Sequence, residues 1–246
     1  MYKQVINRWK LRALSSMPFS RHIIRLFTGN KMSSGSRELF NNILFKNSIG
    51  LGPGVDRDGQ FFSVLSDFGF SFITLGPVNS SNVKTIINRL QSKKADSVIS
   101  LCINKDHCRT FSLSYDFADM FSFDIPDDDI IDTLNSILDI RLTYDQYKPI
   151  LLRITHDLPQ SELDNILSYC QLNGVDGIVT AGKASVSYVR SVVGNRLPII
   201  GYGGIKTPES AKEFIDSGAD LIEITDGLMK TGPSIASRIY KHLNRV

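Results

Sequence analysis

The feature that most constrains the fold is a pattern that repeats eight times after Glu38. Each repeat is a short apolar run followed by a longer segment with the spacing of an amphipathic helix. Consecutive strand–helix units build a parallel sheet covered by helices, and eight of them favour a closed (β/α)8 TIM barrel over an open doubly wound sheet. We therefore predict one barrel domain over residues 38–246. The predicted strands are Ile49 to Leu51, Phe72 to Leu75, Val98 to Ile103, Met120 to Asp124, Ile150 to Ile154, Gly177 to Thr180, Pro198 to Tyr202 and Leu221 to Ile224.

Eight helices are predicted between and after these strands, and the third has the weakest pattern. One helix start is marked by Thr207, whose hydroxyl can cap the helix, followed by Pro208, which suits the first helical position. Gly218 follows the last turn of the same helix, as is common at helix ends. The predicted helices are Gln60 to Asp67, Asn82 to Ser92, Lys105 to Ser112, Asp129 to Asp139, Ser161 to Asn173, Ser185 to Val193, Pro208 to Ser217 and Ser234 to Leu243.

The first 37 residues differ from the rest of the chain in charge. They contain eight Lys or Arg and no acid, which leaves 20 of the 28 basic residues against all 25 acidic residues in the remainder. Apolar residues, including Trp9 and Phe27, recur among the basic ones at near-helical spacing, so residues 1–37 are predicted to form a short basic amphipathic helical extension. Three roles are consistent with such an arm: binding to an anionic membrane surface, packing against its own barrel, and serving as an organellar transit peptide. Nucleic-acid binding is disfavoured because the remainder carries net negative charge.

The composition also bounds the compartment. No stretch approaches the roughly 18 apolar residues of a membrane-spanning helix, so any membrane contact is expected to be peripheral. The three cysteines are widely spaced and odd in number, which is typical of reduced thiols in a cytosol-like compartment. We expect a cytoplasmic protein that contacts the inner face of a membrane, if any, through residues 1–37. The four histidines lack zinc-ligand spacing, so no metal site is predicted.

A glycine-rich corner is predicted where the seventh and eighth strands end. Gly201 to Ile205 follows one strand, and Thr225, Asp226 and Gly227 follow the other. Phosphate commonly binds at this corner of a TIM barrel, because glycines allow backbone N–H groups to approach an anion closely. Asp226 opposes this interpretation, since its carboxylate would repel phosphate oxygens. Its predicted role is to cap the following turn, with acceptance of a bond from a ligand hydroxyl as the alternative.

Several segments of the chain resemble dihydroorotate dehydrogenases, and they occur in order along nearly the whole sequence. The basic arm is similar to the membrane-associating extension of the quinone-linked class. The resemblance implies a barrel that holds FMN at the carboxyl ends of its strands, oxidises dihydroorotate to orotate in pyrimidine biosynthesis and passes electrons to quinone. The segments are Ile49 to Gly59, Phe68 to Phe70, Leu75 to Val78, Arg153 to Leu158 and Leu197 to Ile205.

The resemblance also implies roles for individual residues. Arg57 stands at the position of a lysine in the family's first-strand motif and is the candidate substrate-binding residue. Arg153 stands at the position of a lysine that reaches the flavin from the fifth strand. The candidate FMN-binding residues are Gly54, Arg153, Gly203, Gly204, Thr225, Asp226 and Gly227.

The chain departs from the family pattern where the chemistry is expected. The segment Asp124 to Asp129 stands in place of the serine-rich stretch that supplies the family's catalytic base. Asp124 is therefore the candidate replacement base, whereas Asp127 to Asp129 are expected to cap the next helix. Two loops are almost absent, one after Val78 and one after Lys183. We expect native catalysis to be impaired or lost, which would make the chain a pseudoenzyme of this family.

Two other functions remain open on the sequence alone. One is a non-catalytic barrel that binds a partner, a membrane surface or a small anion. The other is a different barrel enzyme that acts on a phosphorylated or carboxylated small molecule. The second would use Asp56, Arg57, Asp124, Arg153 and His156. The sequence does not predict an oligomeric state.

Overall fold

The computed structural model describes residues 37–126, 130–155 and 158–244. Eight parallel strands close into a barrel in the order β10-β3-β4-β5-β6-β7-β8-β9, so the predicted TIM barrel is confirmed. All eight predicted strands are present, and the largest difference is that the second continues to Val78. The barrel strands are β3 (Ile49–Leu51), β4 (Phe72–Val78), β5 (Val98–Ile103), β6 (Met120–Asp124), β7 (Ile150–Ile154), β8 (Gly177–Ala181), β9 (Ile199–Tyr202) and β10 (Leu221–Ile224).

Helices follow the barrel strands and cover the outside of the barrel. The eight predicted helices are all present, with bounds that differ by a few residues. A short additional helix, α8, was not predicted, and neither was a 3-10 turn at Tyr115–Phe117. Within the described ranges no helix is long and apolar enough to span a membrane. The helices are α1 (Phe62–Ser66), α2 (Val83–Ser92), α3 (His107–Ser114), α4 (Ile130–Arg141), α5 (Gln160–Leu172), α6 (Lys183–Val193), α7 (Pro208–Asp216), α8 (Asp226–Thr231) and α9 (Ser234–Leu243).

Two predicted helix starts have different outcomes. Thr207 caps α7, since its hydroxyl accepts a hydrogen bond from the Ser210 N–H at 3.2 Å, as predicted. The predicted cap of α4, Asp127 to Asp129, lies outside the described residues. So do His156, Asp157 and residues 1–36 of the predicted arm. Arg37, which the prediction assigned to that arm, is instead the first residue of β1 (Arg37–Leu39).

A small antiparallel hairpin closes the amino-terminal end of the barrel. It joins β1 to β2 (Ile43–Phe45) through Phe40, Asn41 and Asn42, all of which have positive φ. Phe40 packs edge-on against Phe45, and Phe45 packs edge-on against Phe72 of β4, with ring centroids 5.8 and 5.7 Å apart. These rings extend an apolar layer that fills the lower barrel interior and includes Met120, Leu151, Val179, Ile200 and Leu221. Entry to the interior at this end is therefore blocked by aromatic side chains.

The next interior layer, towards the carboxyl ends of the strands, is polar. Side chains alternate between the two faces of a strand, so the inward positions lie two residues beyond the apolar layer. These positions hold Thr74, Ser122, Arg153, Tyr202 and Glu223. The strands thus carry an apolar layer at the closed end of the barrel and a polar layer below its open end.

The strands are also linked in pairs at the amino-terminal rim. Asp119, which precedes β6, accepts a hydrogen bond at 2.7 Å from the N–H of Ile99 in β5. Asp176 before β8 accepts in the same way from Ile150 of β7 at 2.8 Å. Asp220 before β10 accepts from Ile199 of β9 at 2.9 Å. Each carboxylate joins its strand to the preceding one, and we refer to the three as the rim aspartates.

Candidate functional site

A cavity of about 260 Å³ lies at the carboxyl ends of the barrel strands. We call it the mouth cavity. Its lining comes from four barrel strands and the segments that follow them: Pro53 after β3, Arg153 of β7, Tyr202 of β9 with the following residues 203–205, and Glu223 of β10 with the following Thr225 and Asp226. This is the face of a TIM barrel where ligands bind. Five of the predicted site residues line the cavity together, namely Arg153, Gly203, Gly204, Thr225 and Asp226.

The floor of the mouth cavity is a buried ion pair between Arg153 and Glu223. Nη2 of Arg153 donates to both carboxylate oxygens of Glu223, at 3.0 Å to Oε1 and 2.7 Å to Oε2. Their side chains are only 3% and 2% exposed. The Thr74 hydroxyl donates to the same Oε1 at 2.7 Å. Gly52 leaves space beside this arrangement for Thr225, because a Cβ at position 52 would lie 2.7 Å from the Thr225 hydroxyl oxygen.

The ring of Tyr202 covers the ion pair. The guanidinium carbon of Arg153 lies 4.9 Å from the ring centroid, a cation–π contact. Burial lowers the pKa of Arg153, but the surrounding groups, led by the Glu223 carboxylate, together hold that pKa above its usual value, so Arg153 stays charged. Burial raises the pKa of Tyr202, against an opposing effect of Arg153, so its hydroxyl stays protonated. Nε of Arg153 is buried and has no hydrogen-bond partner among the described residues.

The glycines of the predicted corner serve different purposes. Gly203 and Gly204 have φ of +86° and +76°, and a Cβ on Gly204 would meet nothing within 4 Å. Their requirement for glycine is therefore conformational. Gly227 instead packs tightly, since a Cβ there would lie 2.7 Å from the carbonyl oxygen of Ile205. Gly54 does not line the mouth cavity, and its N–H donates to the carbonyl oxygen of Gly76 at 2.8 Å.

Asp226 lies in the first turn of α8. The predicted capping role is wrong, because Thr225 is the N-cap residue and no side chain makes a capping hydrogen bond there. The exposed carboxylate of Asp226 lies at the amino-terminal end of this helix, where the helix dipole favours negative charge. It therefore occupies the position at which a ligand anion would otherwise be stabilised.

The remaining candidates lie around the mouth cavity and do not line it. The carboxylate of Asp124, at the end of β6, accepts a hydrogen bond from the Thr155 hydroxyl at 2.8 Å. The main-chain oxygen of Asp124 accepts from Nε2 of His107 at 2.9 Å. Arg57 is exposed. Asp56 is buried and accepts from the N–H groups of Gln60 and Phe61 at 2.9 and 2.8 Å, so it orders its own loop.

Sequence reasoning did not identify Glu223 and Tyr202 as site residues. The available signal was strand alternation. Glu223 is the one acid in the apolar run Leu221 to Ile224, and it shares the inward face with Leu221. A charged residue at an inward position of a barrel strand requires a partner inside the barrel. Alternation alone, however, does not identify Arg153 as that partner.

Comparison with known proteins agrees with the resemblance seen in the sequence. A family model described as "Dihydroorotate dehydrogenase" matches residues 166–246. The "Dihydroorotate dehydrogenase (quinone)" of Wigglesworthia glossinidia brevipalpis is 26% identical over an alignment 282 positions long, and the aligned region covers 80% of this chain and 84% of that protein. That of Christiangramia forsetii is 25% identical over 286 residues, with 84% of each chain covered. This chain is dihydroorotate dehydrogenase-like.

Solved structures support the same fold for this dihydroorotate dehydrogenase-like chain. The DHODH of Eimeria tenella in complex with ferulenol superposes with a TM-score of 0.76 at 14% identity, covering 93% of this chain and 90% of that one. The ligand-free form of the same protein also gives 0.76, at 15% identity, with 92% and 93% covered. At this identity the likeness concerns the fold.

The dihydroorotate dehydrogenase-like chain lacks segments that its relatives have. The alignment to the Wigglesworthia protein spans 282 residues, more than the 246 of the whole chain, so the relative has segments that this chain lacks. Both loops predicted to be short are short. Only residues 79–82 separate β4 from α2, and only Gly182 separates β8 from α6.

These residues do not fit the phosphate group of FMN. Among the described residues, the charged side chains that line the mouth cavity are one cation, Arg153, and two carboxylates, Glu223 and Asp226. A phosphate monoester carries about −1.5 to −2 charges at neutral pH, so it would be repelled. The volume of about 260 Å³ also falls below the ~300–1,000 Å³ typical of sites for drug-sized ligands.

Proposed function

We propose that this dihydroorotate dehydrogenase-like barrel no longer performs FMN-dependent oxidation of dihydroorotate and instead binds a small molecule without catalysis. The observation that carries this proposal is the ion pair between Arg153 and Glu223. By resemblance, the residue at position 153 should direct a positive charge towards the flavin. Here both carboxylate oxygens of Glu223 bind that charge, and Tyr202 covers it.

The state of the candidate base supports the same proposal. Oxidation of dihydroorotate requires a base that removes a proton from the substrate, and a base must lie within hydrogen-bond reach of that proton. Asp124 is hydrogen-bonded to Thr155 and does not line the mouth cavity. General base catalysis typically contributes about 10²- to 10⁴-fold in rate, so its loss alone would leave turnover very low.

Two measurements on the purified full-length protein test the proposal. We expect no visible flavin absorption, and no increase in melting temperature when FMN is added. We also expect no dihydroorotate-dependent reduction of an electron-accepting dye. A yellow protein that reduces the dye, with the rate abolished in Asp124→Asn but retained in the exposed-acid control Asp139→Asn, would overturn it.

We also propose peripheral attachment to an anionic membrane surface through residues 1–37. The support is the run of eight basic residues without an acid. The relatives are named for a quinone, a lipid-soluble compound, which favours the same location. Apolar burial and charge attraction to anionic lipid add at such a surface.

Vesicle sedimentation tests this attachment. We expect the full chain to sediment with vesicles that contain phosphatidylserine and to remain in solution with pure phosphatidylcholine. The triple variant Arg8→Gln, Lys10→Gln, Arg12→Gln should bind more weakly. The control loses three exposed charges from the barrel through Lys84→Gln, Lys93→Gln and Lys94→Gln. Equal loss of binding in both triple variants would contradict a specific role of the arm.

A further inference from the structure

Exposed apolar side chains gather where α3, α4 and α5 end. In a (β/α)8 barrel the helices run back towards the amino-terminal face, so these three ends lie side by side at that face. Leu142 and Leu172 are 81% and 80% exposed there, and Leu113 and Tyr147 are also exposed. We refer to these four residues as the α3–α5 patch.

Hydrogen bonds hold the three helix ends together. The Tyr144 hydroxyl donates to the carbonyl oxygen of Ser112 at 3.2 Å, which joins the loop after α4 to the end of α3. Nη2 of Arg141 donates to the carbonyl oxygen of Gly174 at 2.8 Å, which joins the end of α4 to the turn after α5. Nη1 of the same arginine donates to the Tyr147 hydroxyl at 2.9 Å. The apolar side chains therefore belong to one surface on a fixed frame.

The exposed charges beside the α3–α5 patch are negative. The two cations of residues 112–119 and 139–148, Arg141 and Lys148, are both buried. A surface that combines apolar side chains with carboxylates repels anionic lipid and attracts a segment that is both apolar and basic. The exposed charged residues of these two ranges are Asp116, Asp119, Asp139 and Asp145.

Residues 1–36 have the matching composition and join the barrel at the same face. They contain seven Lys or Arg and no acid, with Trp9 and Phe27 among their apolar residues. Arg37 follows them directly and bonds the rim aspartate Asp220 at 2.8 Å. Even wound wholly as helix, this length of chain would span about 54 Å. A domain of about 200 residues has a radius of gyration of about 17 Å, so the segment is long enough to reach the patch.

We propose that, in the absence of lipid, residues 1–36 dock their apolar side on the α3–α5 patch of the same chain. Their basic side chains then face the carboxylates beside the patch. An anionic membrane competes for the same apolar and basic side chains, so lipid releases the segment from the barrel. The inference rests on the proposed membrane attachment, because it names what regulates that attachment.

Trp9 reports on docking, because it is the one tryptophan of the sequence. Without lipid, the fluorescence maximum of the full-length wild type should lie well to the blue of the urea-unfolded protein. Leu142→Ser with Leu172→Ser changes side chains that stand in solvent, so the barrel stays folded, and the maximum should move most of the way to the unfolded value. Ile131→Ser changes an exposed side chain at the other end of α4 and should have no effect. A red-shifted wild type, or a double variant that keeps the blue maximum, overturns the inference.

A second pair of variants tests the charge. Asp116→Asn with Asp145→Asn should weaken docking and move the Trp9 maximum part of the way to the red. The control, Asp132→Asn with Glu209→Gln, removes two exposed acids from the first turns of α4 and α7 and should leave the maximum unchanged. Equal shifts in the two pairs would contradict the docking on this face.

Vesicle sedimentation distinguishes the possible occupants of the patch. The double serine variant frees residues 1–36, so it should bind phosphatidylserine vesicles severalfold more tightly than the wild type. Weaker binding would identify lipid as the occupant and overturn the inference. A Trp9 maximum that moves to the red on dilution of a dimer would assign the patch to a second copy, with the same result. If the Trp9 shifts are found but no protein binds vesicles, the membrane attachment fails and the docking stands.

Discussion

Arg153 and Glu223 lie 70 residues apart in the sequence, yet Nη2 of the arginine bonds both oxygens of the glutamate. The pair bridges β7 and β10, which are not neighbours in the barrel. It thus crosses the barrel interior, where the strands alone provide no cross-link. Its net contribution to stability depends on how much the attraction exceeds the cost of removing both charges from water.

The first prediction concerns the removal of one partner. Glu223→Ala leaves a buried guanidinium without a counter-ion and should lower the free energy of unfolding by about 3–5 kcal/mol. The double variant Arg153→Met, Glu223→Leu removes both charges and should be more stable than Glu223→Ala alone. Urea denaturation followed by circular dichroism measures both. A double variant that is no more stable than Glu223→Ala would contradict this account.

The second prediction concerns pH and Asp56. Burial raises the pKa of Asp56 to about 6, although the N–H groups of Phe61 and Gln60 oppose this effect. The unfolded chain has a pKa near 3.9 for this group, so the folded state binds the proton more tightly. The stabilisation is therefore complete below about pH 4 and is lost as the pH rises through about 6.

Replacement of this side chain should remove that dependence. Relative to Asp56→Asn, the wild type should lose up to about 3 kcal/mol of unfolding free energy between about pH 4 and pH 7. Chemical denaturation at several pH values measures the difference between the two proteins. A difference that stays constant with pH would show that Asp56 titrates normally.

The third prediction contrasts a buried ion pair with an exposed one. Arg141 contacts Asp176, the Tyr147 hydroxyl and the carbonyl oxygen of Gly174 at 2.7, 2.9 and 2.8 Å. Arg141→Ala should cost about 3–5 kcal/mol, because it leaves the mostly buried Asp176 carboxylate without its cation. Lys212 pairs with Asp216 at the exposed surface of α7, and Lys212→Ala should cost at most about 0.5 kcal/mol. Similar losses in the two variants would rule out burial as the cause.

The fourth prediction separates the two reasons for glycine at the corner. Gly204 needs positive φ and has free space, so Gly204→Asn should be less damaging than Gly204→Ala, since asparagine tolerates that conformation better. Any side chain at position 227 would press against the carbonyl oxygen of Ile205, so Gly227→Ala should cost about 1–3 kcal/mol of unfolding free energy. The larger side chain of Gly227→Asn should be more damaging still. Melting temperatures of the four variants give the two orders. The same order at both positions would be inconsistent with this distinction.

Most of the barrel could be predicted because its strands are buried on both faces and therefore occur as short continuous apolar runs. The sequence did not predict the hairpin, since β1 contains Arg37 and Glu38 and does not have this character. The short helix α8 was also missed, because its six residues include Gly227 and its position suggested a loop. In both cases tertiary packing decides the local structure, and the propensity of a few residues does not.

The candidate site could be predicted only in part. Local glycine patterns located Gly203, Gly204 and the end of β10, since these features lie within a few residues of each other. Glu223 was missed because its role depends on a partner across the barrel, and the inward direction of Arg153 became evident only with the register of β6 and β7. Long-range contacts of this kind are fixed by the closure of the sheet.

The rim aspartates show how the barrel is assembled. Each one ties two consecutive strands. The segments that precede the first two barrel strands are tied in a related way, since the Ser71 hydroxyl accepts a hydrogen bond from the Asn47 N–H at 3.4 Å. The repeating element is therefore a pair of βα units, and the barrel consists of four such quarters. Circular permutants that open the chain between quarters, for example between α4 and β7, keep every one of these ties. Openings within a quarter, such as between α5 and β8, place an aspartate and its partner strand at opposite ends of the permuted chain.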